Sequence, residues 1–168
     1  MVDAAHPRYP ALMQPVQTAI KIEIKRLRAN AVIPAYHSEQ AAGMDLSANI
    51  DAPIVLEPGD IALIPCGFAM ALPRGYEAQV RPRSGLATKF GISMPNAPGT
   101  VDSDYRGEMK VPLINLGRAA FVVEPNMRIA QMVIARVEHA QVSIVTELTE
   151  TTRGEGGFGS TGIGHASF

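Results

Sequence analysis

Apolar and polar residues alternate with period two in IKIEIKRL (Ile20 to Leu27), the pattern of a strand with one face buried and the other wet. Short β-prone runs then recur along the chain: IVLEP, IALIPCGFAMALP, YEAQVRP, MKVPLIN, AAFVVEP, RIAQMVIARVE and QVSIVTEL. Each is bounded by Pro, Gly, Asn or Asp, and EPGD at Glu57 to Asp60 is a turn signal. Many short strands with regular breakers predict an all-β sandwich, jelly roll or closed barrel. The one helical candidate is SGLATKFG, short, closed by Gly91, with Ser84 as its expected N-cap. Residues 1–18 carry Pro7, Pro10 and Pro15 without any sustained period, so they read as a mobile arm.

Composition narrows this picture. A chain of 168 residues with 46% hydrophobic residues can bury one good core and is short for two. Its 15 basic and 16 acidic residues are well mixed and leave a formal charge of −1, with no basic stripe for tracking nucleic acid. Cys66 is the only cysteine, so no internal disulfide forms, and His6, His37, His139 and His165 are too scattered for a zinc site. No apolar run reaches membrane-spanning length and the N-terminal stretch lacks the features of a signal peptide, which leads us to expect a soluble cytoplasmic protein without a membrane partner.

Polar residues interrupt the β pattern at five places. In AGMDLSA, Asp45 sits between apolar neighbours, as a turn or strand-edge residue or a functional one. In VRPRSGLATKFG, Arg81 and Arg83 lead into Ser84 and Gly85, so guanidinium groups, a hydroxyl and backbone N–H groups converge as they would around an anion; a capped helix with surface arginines is the plainer alternative. The stretch MPNAPGTVDSDYRGEMKVPLIN packs Asp102, Asp104, Tyr105, Arg106, Glu108 and Lys110 into a β-prone context. A carboxylate at such a hairpin can act as general base toward water, and a Tyr nearby can lay a flat ring on a sugar. The plainer account is a solvated hairpin whose acids pair with Arg106 and Lys110. In NMRIAQMVIARV, Gln131 interrupts a buried strand and needs a partner, because an orphaned buried amide costs about 1 to 3 kcal/mol. The fifth, RGEGGFGSTG, surrounds Phe158 with glycines whose free N–H groups can face an anion. It matches G-x-G-x-x-G, yet no helix follows it as a dinucleotide fingerprint requires, and it lacks the Lys of a Walker loop.

In this order AGMDLSA, RPRSGLA, NAPGTVDSDYRGE, RIAQMV and RGEGGFGSTG resemble the five motifs of the trimeric dUTPase family, the dUTP diphosphatases, over roughly Ile20 to Gly162. The resemblance implies a distorted β jelly roll or β-barrel with one short helix, a core over residues 19–150, and a glycine-rich C-terminal lid over 151–168. It implies hydrolysis of dUTP to dUMP and pyrophosphate by water attack on the α-phosphate, which keeps uracil out of DNA and supplies dUMP for thymidylate synthesis. Three subunits would build the active sites jointly, and Mg²⁺ would travel on the triphosphate with no direct protein ligand.

Carried over residue by residue, Asp102 is the expected base, Gln131 faces the α-phosphate and the water, and Asp45 acts at longer range on the metal's water shell or the hairpin. Arg83, Ser84 and Gly85 bind phosphate oxygens. Asn96 and the backbone of Thr100, Val101 and Asp102 read uracil, Tyr105 packs on the deoxyribose, and Lys110 adds a substrate contact. Arg153, Gly159, Ser160 and Thr161 close on the γ-phosphate while Phe158 stacks on the base. Two alternatives stand beside this reading: a dCTP deaminase of the same fold, and a non-catalytic sensor of dUTP. RSGLATKFG and Tyr105 favour the hydrolase over the deaminase, and an intact Asp102 with a full phosphate loop speaks against the sensor.

Overall fold

The computed structural model describes residues 19–157. The chain divides into two compact units, Met1–Glu138 and His139–Phe168. Among the described residues every regular element lies in the first: β1 (Glu23–Arg26), β2 (Met44–Ser47), β3 (Ile54–Leu56), β4 (Ile61–Ala71), β5 (Tyr76–Pro82), α1 (Ser84–Phe90), β6 (Ile92–Ser93), β7 (Gly99–Val101), β8 (Glu108–Asn115), β9 (Phe121–Val123) and β10 (Arg128–Arg136). They form two four-stranded antiparallel sheets, ordered β1-β4-β8-β6 and β2-β10-β5-β7, and a two-stranded ribbon of β3 and β9. This is the expected jelly-roll type of fold with a single short helix.

Alternation decides which side chains go inside. In β8, Met109, Val111, Leu113 and Asn115 are buried while Glu108, Lys110, Pro112 and Ile114 face the other way. The inward residues of both sheets meet in one core with Leu46, Ile64, Phe68, Val80, Ile129 and Met132, all nearly or fully buried. A side chain such as Phe68 or Met132 in such a place contributes about 2 to 3 kcal/mol of transfer free energy. Asn115 is the polar exception: its Nδ2 donates to the carbonyls of Leu56 and Ala119 and its Oδ1 accepts from the Gly117 N–H, so one amide ties the end of β3 to the loop between β8 and β9. The EPGD turn forms as expected, with Asp60 N–H donating to the Glu57 carbonyl and Gly59 at φ 92°.

Three expectations are corrected. Ser84 is the first helical residue and Arg83 is the N-cap, without a side-chain capping bond; the chain enters α1 directly from β5, so the extended residue falls one position earlier. Gly91 does close the helix, in the left-handed region at φ 72°. Gln131 is exposed and Ile129, Ala130 and Met132 carry the buried face of β10, where the register of β10 steps between Arg128 and Ala130. QVSIVTEL forms no strand: nothing within the described chain pairs with it, and Val142, Ile144 and Leu148 are 88%, 98% and 86% exposed.

Candidate active site

Six of the residues expected at the site line one cleft of about 320 Å³: Asn96, Thr100, Val101, Asp102, Tyr105 and Lys110. The hairpin from β7 to β8 supplies most of them. A Cβ on Gly99 would approach Asn96 Nδ2 to 3.2 Å, so glycine there keeps room for that amide. Asp102 turns the chain, its carbonyl accepting from the Tyr105 N–H at 3.2 Å, and Tyr105 returns over the hairpin so that its hydroxyl donates to the Glu108 carbonyl at 3.1 Å. Among the described residues the exposed Asp102 carboxylate makes no hydrogen bond or ion pair. The plainer account of a self-paired hairpin holds for Glu108 alone, which Lys110 approaches to 3.9 Å; Arg106 donates to the carbonyls of Ser103 and Tyr105, and among the described residues neither aspartate is paired. Leu63, Glu108, Met109 and Pro112 complete the lining, and none of them belongs to the expected set. Leu63 and Pro112 are register partners across β4 and β8, and Leu63 remains 59% exposed on the cleft side.

A second cluster gathers on the sheet of β2, β10 and β5. Asp45 and Gln131 are register partners, with Arg81 next in the same row. The Asp45 side chain is only 6% exposed; Arg128 Nη1 donates to it at 2.9 Å and Gln131 Nε2 at 3.3 Å, while Arg83 Nε pairs with it at 3.4 Å and His37 Nε2 lies 3.3 Å away. Arg83 also donates through Nη1 to the Arg128 carbonyl at 3.2 Å. A buried carboxylate in this position orients two guanidinium groups, whose remaining N–H donors can bind an anion. The expected trio Asp45, Arg83 and Gln131 is thus brought together. Arg128 and His37 are additional; RIAQ offered Arg128 as a break in an apolar run, whereas nothing local marked His37.

Ser84 and Gly85 are exposed at the start of α1. A Cβ added to Gly85 would meet nothing within 4 Å. Among the described residues no group of three or more His, Cys, Asp or Glu side chains converges as a metal cage, and no helix is long and apolar enough to cross a membrane. In the second unit, Arg153 folds back on its own turn, Nε donating to the Gly156 carbonyl at 2.8 Å, with Gly154 at φ 51°. Phe158, Gly159, Ser160 and Thr161 lie outside the described residues, as do residues 1–18.

A β jelly roll that offers an open cleft with an unpaired carboxylate and, beside α1, a pair of oriented arginines is suited to an anionic nucleotide. The dUTPase family profile matches residues 29–162. The deoxyuridine 5′-triphosphate nucleotidohydrolase of Rhizobium etli is 62% identical over 133 residues, covering 78% of this chain and 85% of that protein. That of Rickettsia felis is 54% identical over 147 residues, covering 87% and 99%. Among solved structures, the dUTPase of Staphylococcus bacteriophage 80alpha with dUpNHpp superposes with a TM-score of 0.78 at 26% identity, over 85% of this chain and 99% of that one. A mutant dUTPase from Staphylococcus aureus phage phi11, described with a structural Mg(II) ion, shares the fold at a TM-score of 0.70 and 21% identity, over 77% and 99%. The chain belongs to the dUTPase family.

Proposed function

We infer that the protein is a dUTP diphosphatase, hydrolysing dUTP to dUMP and pyrophosphate. The observation that carries the assignment of roles is the unpaired Asp102 carboxylate at the edge of a cleft that also presents Asn96, Thr100, Val101 and Tyr105. Free of any partner among the described residues, Asp102 can orient a water and take its proton as that water attacks the α-phosphate. Asn96 and the hairpin backbone hold the uracil edge, the close main chain excludes a thymine methyl, and the Tyr105 ring covers the deoxyribose where a 2′-hydroxyl would clash. Lys110 adds a substrate contact beside Glu108.

Arg83, Ser84 and Gly85 bind phosphate oxygens, with Gln131 at the α-phosphate. The open space over Gly85 supports a close approach there, because neither crowding nor backbone angle within the chain calls for glycine. Mg²⁺, when bound with the triphosphate, neutralises charge and templates its conformation. The donor set fits that arrangement, since Asp45 already serves Arg83 and Arg128 and is left to act on the metal's water shell rather than as a ligand.

We further propose a homotrimer with shared sites, an N-terminal arm over residues 1–18, a core over 19–150, a lid over 151–168, and residence in the cytoplasm. The exposed Val142, Ile144 and Leu148 support the trimer, as apolar β-prone residues seeking a partner strand. A solution mass of three times 17.9 kDa by light scattering is expected. Arg153, Gly159, Ser160 and Thr161 close on the γ-phosphate with Phe158 over the base. Deletion from Arg153 onward should lower kcat/KM about a hundredfold while far-UV circular dichroism stays unchanged; unfolding instead would make the tail structural.

Incubation with dUTP, dCTP and Mg²⁺ and separate assays of pyrophosphate and ammonia test the reaction. Pyrophosphate from dUTP without ammonia is expected, and ammonia from dCTP would overturn the reading.

A further inference from the structure

Glu108 stands outside every motif role given above, yet it connects the cleft to the opposite strand. The backbone register of β4 against β8 is interrupted between Pro65 and Ala69, with Gly67 at φ 75° inside the interruption and Ala69 paired to Glu108. A bulge of this kind leaves N–H groups without a ladder partner. Here the Gly67 N–H donates to Glu108 Oε1 at 3.0 Å, while the Gly67 carbonyl accepts from the N–H groups of Leu27 and Arg28 at 2.9 and 3.2 Å. The bulge is therefore clamped from both sides, and the Glu108 carboxylate is one jaw. Lys110 Nζ pairs with the other carboxylate oxygen, Oε2, at 3.9 Å and leaves Oε1 to the Gly67 N–H.

The main chain of the same residue holds the ring over the hairpin, through the Tyr105 hydroxyl on the Glu108 carbonyl at 3.1 Å. The ring lies so close to the intervening residue that a Cβ on Gly107 would fall on the Tyr105 hydroxyl. Gly107 has an ordinary backbone angle, so the demand for glycine there is one of space. The carbonyl and the missing side chain together define where the ring sits.

We propose that Glu108 is a positioning residue for sugar discrimination: by clamping the β4 bulge it fixes the carbonyl that seats the Tyr105 ring. The inference rests on the reading of Tyr105 as the deoxyribose cover. The readout is the ratio of kcat/KM for dUTP to that for UTP, which is insensitive to a fraction of unfolded enzyme because both substrates meet the same folded molecules. Glu108→Ala should lower that ratio about tenfold, chiefly through a higher KM for dUTP, as expected for loss of one charge-assisted contact. Glu108→Gln keeps an acceptor for the Gly67 N–H and should restore it. Tyr105→Phe, which removes only the hydroxyl donor, and Gly107→Ala, which displaces the ring without touching the carboxylate, should each lower the ratio even if Glu108→Ala proves too unstable to assay. Equal losses for dUTP and UTP, failure of Gln to restore the ratio, or an unchanged ratio in both Tyr105→Phe and Gly107→Ala would overturn the proposal. Tyr105→Ala separates the two levels. If it abolishes the preference while Glu108→Ala does not, the positioning role alone fails; if it leaves the preference intact, the sugar reading fails and this inference with it.

Discussion

Two aspartates define opposite environments in this molecule. Asp102 is exposed on a hairpin turn with no partner among the described residues, whereas Asp45 is buried, accepts hydrogen bonds from Arg128 and Gln131, and has Arg83 and His37 within 3.4 Å. Identical carboxylates are thereby given different work. One has lone pairs to spare for a water and a proton; the other has already committed its oxygens to holding cations in place. Sequence position says little about this difference, which comes from what the strands bring alongside.

The comparison is broken most directly at its free member. Asp102→Asn keeps the shape of the side chain but removes the base, so kcat should fall about a thousandfold while binding of a non-hydrolysable dUTP analogue by calorimetry persists. Turnover near the wild-type level would show that the unpaired carboxylate is a bystander. Asp45→Asn should act differently, because it removes the buried negative charge that Arg83 and Arg128 share and puts an N–H donor where one acceptor oxygen stood. A loss of about 2 kcal/mol in urea unfolding is expected, with a raised KM and a smaller effect on kcat. A kcat loss equal to that of Asp102→Asn, with stability unchanged, would erase the distinction.

A third carboxylate sharpens it further. Burial first, and then the charge of Glu108, pushes the Cys66 thiol up from 9.0 to about 12. Because the folded value lies above the unfolded one, the stabilisation is fully present below pH 9 and is lost as the pH rises toward 12, by about 1.4 kcal/mol per pH unit. Cys66→Ala should flatten this alkaline slope in chemical unfolding at pH 9 to 11. A persisting slope would mean that another group titrates there.

The strands were legible because breakers and alternation mark them: the half-buried Ile20, Ile22 and Ile24 keep the period expected of IKIEIKRL. The helix was legible as far as its Gly91 stop, and its start was missed by one residue because Arg83 caps without a side-chain bond. The cleft's polar members stood out as interruptions in a β pattern. Its apolar floor did not, since IALIPCGFAMALP is continuously apolar and hides that Leu63 faces outward while Ile64 is buried. The partners of Asp45 were equally hidden, because the register that sets Gln131 opposite it joins residues far apart in the chain. QVSIVTEL shows the limit of pattern reading: β propensity makes no strand without an edge to pair with.

β10 is an interior strand of its sheet. It is hydrogen-bonded on one side to β2 and on the other to β5, and its inward residues Ile129, Ala130 and Met132 are fully or almost fully buried. Amides along such a strand open only when the whole unit opens. The strand that presents Arg128 and Gln131 is therefore among the last to yield, so Met132 and Ile134 should exchange their amide protons at the global rate, and heating should end activity together with the fold instead of ahead of it.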